Sequence, residues 1–197
     1  MDTSLILAAA LFALVSSITP GPNNLMLAAS GLTFGFRRTL PLWLGISVGF
    51  QCLLFGVALG LGRVFEAWPA MHVVLKGVGA AYLLYLAWRL WQSSAAGDSR
   101  LAEPLGFMRG ALFQWVNPKA WMMTVGAASA YTLHGDDYWP SVAMLAGLFM
   151  LLGMPSTASW AAFGAAFRNL LAEPRWARRV GRGMAVLTAL SCLLIVL

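Results

Sequence analysis

Thr19-Pro20-Gly21-Pro22-Asn23 interrupts one long apolar stretch of this 197-residue chain, and Asn117-Pro118-Lys119 interrupts another. Proline has no N–H to return to the preceding turn and glycine is conformationally loose, so neither stretch can run through as an unbroken helix. In sequence apolar enough to lie in a bilayer, each interruption frees backbone groups at membrane depth. Such groups survive only where protein or a water-filled cavity satisfies them. Matched breaks in two halves of a chain point to a transporter's substrate site.

The composition around the breaks is that of an integral membrane protein. The chain is 60% hydrophobic and 10% charged, with a mean hydropathy of +0.75, too apolar for the surface of a water-soluble domain. Runs able to cross a hydrocarbon core of roughly 30 Å fall at about Leu5–Ala29, Leu40–Leu61, Pro69–Trp91, Gly106–Leu133, Pro140–Phe167 and Val180–Leu197. The expected fold is all-α, one transmembrane domain over residues 1–197 with six spans, the first and fourth broken by proline. The N-terminal run lacks a basic leader and apolar sequence resumes after its break, so it reads as the first helix and not as a signal peptide.

A net charge of +6 invites a nucleic-acid reading, but the basic residues form no patch with interleaved aromatics, and no nucleic acid is expected. They mark alternate connections instead: Arg37 and Arg38, then Arg89, Arg100 and Arg109, then Arg168, Arg175, Arg178, Arg179 and Arg182. By the positive-inside rule those connections face the cytoplasm of a cell inner (plasma) membrane, leaving both termini outside. Cutting at the small, polar connection Ser94–Arg100 leaves blocks of about 1–95 and 100–197, each with three spans and a broken first span. An odd number of spans turns the second block over, the arithmetic of an inverted repeat. Gly45, Gly49, Gly56 and Gly60 share one face of the second span, where another helix, or a second copy in a homo-oligomer, can approach closely.

Titratable groups within the spans are few. Lys76 and Lys119 are costly there and mark a pathway or a partner, Lys119 more strongly because it sits at a break. The half-helices beginning at Pro22 and Pro118 present unpaired N–H groups and positive dipole ends that suit a carboxylate. Carbonyls on the preceding turns, about Ser16 to Thr19 and Gln114 to Asn117, suit an ammonium group. The expected substrate-binding set is Pro20, Gly21, Pro22, Asn23, Asn24, Gln51, Lys76, Gln114, Asn117, Pro118 and Lys119, with Ser47, Ser156, Thr157 and Ser159 as further polar groups near it. The partners are then a small-molecule amino acid and the lipid bilayer. No span carries Asp or Glu, no Ser/His pair or metal-ligand spacing appears, and no catalytic residue, metal or cofactor is expected. Without a buried carboxylate a basic substrate finds no countercharge, which favours neutral or apolar side chains. Two other classes remain open: a thiol-redox carrier using Cys52 and Cys192, which lie on non-equivalent spans without flanking prolines, and a non-transporting scaffold in which the prolines only kink their helices.

With those residues in place, the chain resembles the lysine-exporter superfamily, in its homoserine/threonine-resistance (RhtB-like) branch. The resemblance rests on Thr19-Pro20-Gly21-Pro22-Asn23, on Leu75-Lys76-Gly77 followed by Gly79-Ala80-Ala81-Tyr82-Leu83-Leu84-Tyr85-Leu86-Ala87-Trp88-Arg89, and on Asn117-Pro118-Lys119-Ala120. It implies a six-helix inner-membrane exporter of amino acids driven by the proton motive force, and it gives Lys76 added weight. Gln51, Trp121, Met122 and Met123 depart from residues common in that family and stand where the cavity could be lined.

Overall fold

The structure, a computed structural model, describes residues 2–62 and 104–170 throughout, and positions 73, 74, 77, 78, 80, 81, 84, 85, 88, 179, 182, 183 and 186 besides. Lys76 and most of the third and sixth expected spans lie outside the described residues. Every regular element described is helical. α1 (Thr3–Ile18) and α2 (Pro22–Phe34) meet at the first break with a bend of 50° and, taken as a pair, are long and apolar enough to cross a membrane. α3 (Phe36–Gly56) runs on through Val57–Leu61, where Gly60 at φ 113° makes a kink, and the stretch Phe36–Leu61 is long and apolar enough to cross a membrane. α4 (Phe107–Gln114) and α5 (Pro118–Tyr131) flank the second break. α6 (Tyr138–Leu148), a π-helical turn at Phe149–Gly153 and α7 (Met154–Leu170) form a second continuous membrane-length run.

Local chemistry explains the boundaries. Asp2 caps α1 by accepting from the Ser4 amide and hydroxyl, at 3.3 and 2.6 Å. Those bonds, the hydroxyl's first, hold the Asp2 carboxyl below its ordinary range. α2 runs five residues past the expected end at Ala29 and stops at Gly35, whose φ of 82° favours glycine. α3 therefore starts at Phe36, not Leu40, and carries Arg37 and Arg38 in its first turn. In the last long run Pro155 has no N–H for the turn before it, and the π-helical turn immediately ahead of it absorbs the missing bond.

Burial is arranged for lipid. Leu7 and Leu11 are 65% and 63% exposed on α1, whereas Ala9, Ala13 and Ser17, spaced four apart on one face, are buried. Large side chains cost nothing against acyl chains, and small ones let backbones approach. The main contacts between distant helices put α2 on α7, α1 on the Phe149–Gly153 turn and α4 on α3. Glycine makes two of these seams. A Cβ on Gly164 would land on the Ala28 carbonyl and one on Gly31 on the Ala161 carbonyl, while one on Gly45 would meet the Phe107 carbonyl and one on Gly49 the Ala111 carbonyl. The expected glycine face on the second span is thus occupied at Gly45 and Gly49 by α4 of the same chain, and these positions are not open to a second copy.

Replacing Gly164 by leucine should cost about 1–3 kcal/mol through overpacking and lower the thermal midpoint of the detergent-purified protein. Gly126→Leu, where nothing lies within 4 Å, should leave it nearly unchanged. Equal shifts would contradict the α2–α7 seam.

Candidate functional site

Both breaks lie side by side, and each is held by a side chain from the other. Pro22 and Pro118 occupy the first helical positions of α2 and α5, where a missing N–H is harmless. The residue directly after each proline reaches across. The Lys119 ammonium donates to the Thr19 carbonyl at 2.8 Å, the Thr19 hydroxyl at 2.9 Å and the Pro20 carbonyl at 3.3 Å, covering the negative end of α1. Asn23 reaches the other way. Its Nδ2 donates to Gln114 Oε1 at 2.8 Å, and its Oδ1 accepts from Gln114 Nε2 at 3.1 Å and Asn117 Nδ2 at 3.2 Å.

Two further amides finish the breaks. Asn117 Oδ1 caps α5 by accepting from the Lys119 amide at 3.1 Å. Asn24, 3% exposed, donates from Nδ2 to the carbonyls of Ser17 and Thr19 at 2.7 and 2.8 Å. The N-cap of α2, by contrast, is Gly21, which has no side chain to offer. The first helical bond of α2 runs from the Leu25 amide to the Gly21 carbonyl, so the Asn23 and Asn24 amides precede the helical ladder and point out of its positive end. Gly21 has a packing reason to be glycine: a Cβ there would come within 2.7 Å of Lys119 Cδ. Its φ of −179° is extended backbone that any residue adopts.

A cavity of about 50 Å³ opens between the breaks and the two unbroken runs. Of the expected set, Gly21, Asn23, Asn24, Gln51 and Lys119 line it. Gln114 and Asn117 are turned onto Asn23, while Pro20, Pro22 and Pro118 shape the backbone around it. The carbonyls expected to meet an ammonium are already engaged at the end of α1: Ser17 by Asn24, Thr19 by Asn24 and Lys119, Ser16 by the Thr19 hydroxyl at 3.0 Å and Ile18 by the Trp160 indole N–H at 3.1 Å. The hydroxyls of Ser47, Ser156, Thr157 and Ser159 all bond back to their own helices, and of these residues Ser47 and Thr157 line the cavity. Met123 joins the lining and Met122 faces outward, 63% exposed.

Sequence reasoning missed the aromatic wall. Phe50 and Phe149 line the cavity with ring centroids 4.7 Å apart, one from each unbroken run. Nothing in an apolar run distinguishes a lipid-facing phenylalanine from one on a chamber. Trp43 was equally hidden: its indole N–H donates to the Met154 carbonyl at 3.1 Å and the Thr157 hydroxyl at 3.2 Å, tying α3 to α7 beside the cavity. Two buried acceptors here have no protein partner, Asn24 Oδ1 and Gln51 Oε1.

The described residues hold no group of His, Cys, Asp and Glu placed to bind a metal. Cys52 is a free, exposed thiol, and Cys192 lies outside the described residues.

No solved structure matches the chain. Curated relatives do. A cysteine/O-acetylserine efflux protein of Salmonella choleraesuis (strain SC-B67) is 31% identical over 182 residues, 91% of this chain and 89% of that protein. The cysteine/O-acetylserine efflux protein of Escherichia coli (strain K12) is 30% identical over 193 residues, 96% of this chain and 94% of that protein. Residues 14–197 match the LysE type translocator family. With two membrane-length runs, a broken span bent at its prolines and relatives along nearly its whole length, the chain belongs to the LysE type translocator family and is a multi-pass membrane translocator, not an enzyme.

Proposed function

We propose that this protein exports small neutral amino acids, of the cysteine and O-acetylserine kind, across the inner membrane. It works as two inverted three-helix repeats with both termini outside, driven by the proton motive force. One observation carries the reading: the two proline breaks, nearly a hundred residues apart in sequence, brace each other across a single cavity. The packing of α2 on α7 and of α4 on α3 supports two halves that interlock around the breaks. The small cavity supports a small substrate: a water needs about 10–15 Å³ measured this way.

The substrate carboxylate sits at the open positive end of α2, beside Lys119. A carboxylate is a stronger acceptor for an ammonium than a peptide carbonyl, so it draws Lys119 away from Thr19 and Pro20. The brace on α1 loosens as the ligand binds, and rocking of one half against the other follows from that exchange. The relatives' efflux of cysteine and O-acetylserine supports a neutral side chain, in keeping with a lining in which Lys119 is the one titratable group among the described residues.

Cells overexpressing the protein should release cysteine or O-acetylserine faster than control cells, with lysine efflux unchanged. Lys119→Met should lower that efflux about tenfold or more, the worth of a lost hydrogen bond to a charged group. Gly21→Ala keeps the charge but displaces the lysine stem, and should fall in the same direction. Both variants at wild-type flux, at equal membrane abundance, would remove Lys119 from the mechanism.

A further inference from the structure

Two unpartnered oxygens beside the same cavity define a binding chemistry. Asn24 comes from α2 and Gln51 from α3, and each has spent its amide nitrogen on protein. Asn24 Nδ2 holds the Ser17 and Thr19 carbonyls, and Gln51 Nε2 donates to the Ala146 carbonyl at 3.1 Å. Those bonds fix which end of each amide is nitrogen, and so fix Asn24 Oδ1 and Gln51 Oε1 as acceptors. Both are buried without a hydrogen bond. An orphaned buried acceptor is costly, and two on residues that line one cavity call for a ligand that donates.

We propose that Asn24 and Gln51 form the ammonium half of the substrate site, and that a free primary amino group is what the translocator requires of its cargo. This rests on the export reading above and names the substrate class of that site. Its chemistry follows from the lining. Lys119 repels an ammonium and attracts a carboxylate, so it assigns the carboxylate to its own end and leaves the amino group to the amide oxygens. Neutral oxygens bind an ammonium more weakly than a buried carboxylate does and let it go again, which suits a carrier. O-acetylserine has no donor on its ester side chain, so its amino group is the donor it can bring. Acylating that nitrogen removes the charge and leaves one N–H in place of three.

The test uses the full chain purified into proteoliposomes, with radiolabelled cysteine counterflow under reducing conditions and N-acetylcysteine as the matched probe. Wild type should move cysteine and reject N-acetylcysteine. Gln51→Met, close in size, should raise the KM for cysteine about tenfold to a hundredfold, as expected for one lost hydrogen bond to a charged group. Gln51→Glu puts a charged oxygen acceptor at that position and should lower the cysteine KM below the wild-type value, which separates the Gln51→Met loss from a folding defect common to any substitution. Equal transport of cysteine and N-acetylcysteine, or an unchanged KM in Gln51→Met, would overturn the subsite while leaving the exporter reading intact; in the second case water fills those oxygens. Failure of the wild type to move any amino acid would overturn both.

Discussion

A helix broken inside a bilayer must find partners for the carbonyls and amides the break releases, and here each break finds them on the other. Lipid offers no hydrogen bonds, and each group left bare there costs several kcal/mol. Lys119 and Asn23 are equivalent in their half-helices, each standing directly behind the opening proline. Each crosses to the end of the helix that precedes the other's proline, Lys119 to Thr19 and Pro20, Asn23 to Gln114 and Asn117. One cross-link is charged and the other neutral. The site is therefore asymmetric in charge although a proline opens the half-helix on both sides.

The seams around the breaks explain how such a cavity stays small. Glycine contacts bring α2 against α7 and α3 against α4, backbone to backbone, so the halves cannot spread freely. Phe50 and Phe149 then fill the space between the unbroken runs. Both membrane-length runs turn at defined points, the first at the Gly60 kink, where φ is 113°, and the second at the π-helical turn Phe149–Gly153 ahead of Pro155. Such turns are points where a helix bends with little loss of hydrogen bonding. Rigid seams joined to bendable turns leave bending at those turns as the motion the packing permits.

Much of this was legible because proline and lysine are hard to hide in an apolar sequence. The breaks at Pro20–Pro22 and Pro118, the weight on Lys119 and the inclusion of Asn24 and Gln51 came from residue types that are expensive in a membrane unless they serve a purpose. Partner choice was not legible. The α1 carbonyls, expected to wait for a ligand, are held by Asn24, Lys119 and Thr19, and only tertiary proximity could reveal that. The start of α3 at Phe36 depended on Gly35 adopting positive φ, and the sequence there permits a longer loop equally well. Phe50, Phe149 and Trp43 were invisible because a two-sided apolar helix carries no periodicity to say which face meets protein.

The most direct measurement is chemical cross-linking between the breaks. Cysteines placed at Asn23 and Gln114, whose side chains are in hydrogen-bond contact at 2.8 Å, are treated in native membranes with a short thiol-specific cross-linker. The background has Cys52 and Cys192 replaced by serine, with a protease site in the 94–100 connection. The two halves should stay joined after proteolysis, and an excess of substrate should change the rate of joining. Clean separation of the halves, with both cysteines modified singly from the lipid phase, would show that the broken helices do not meet and would contradict the account.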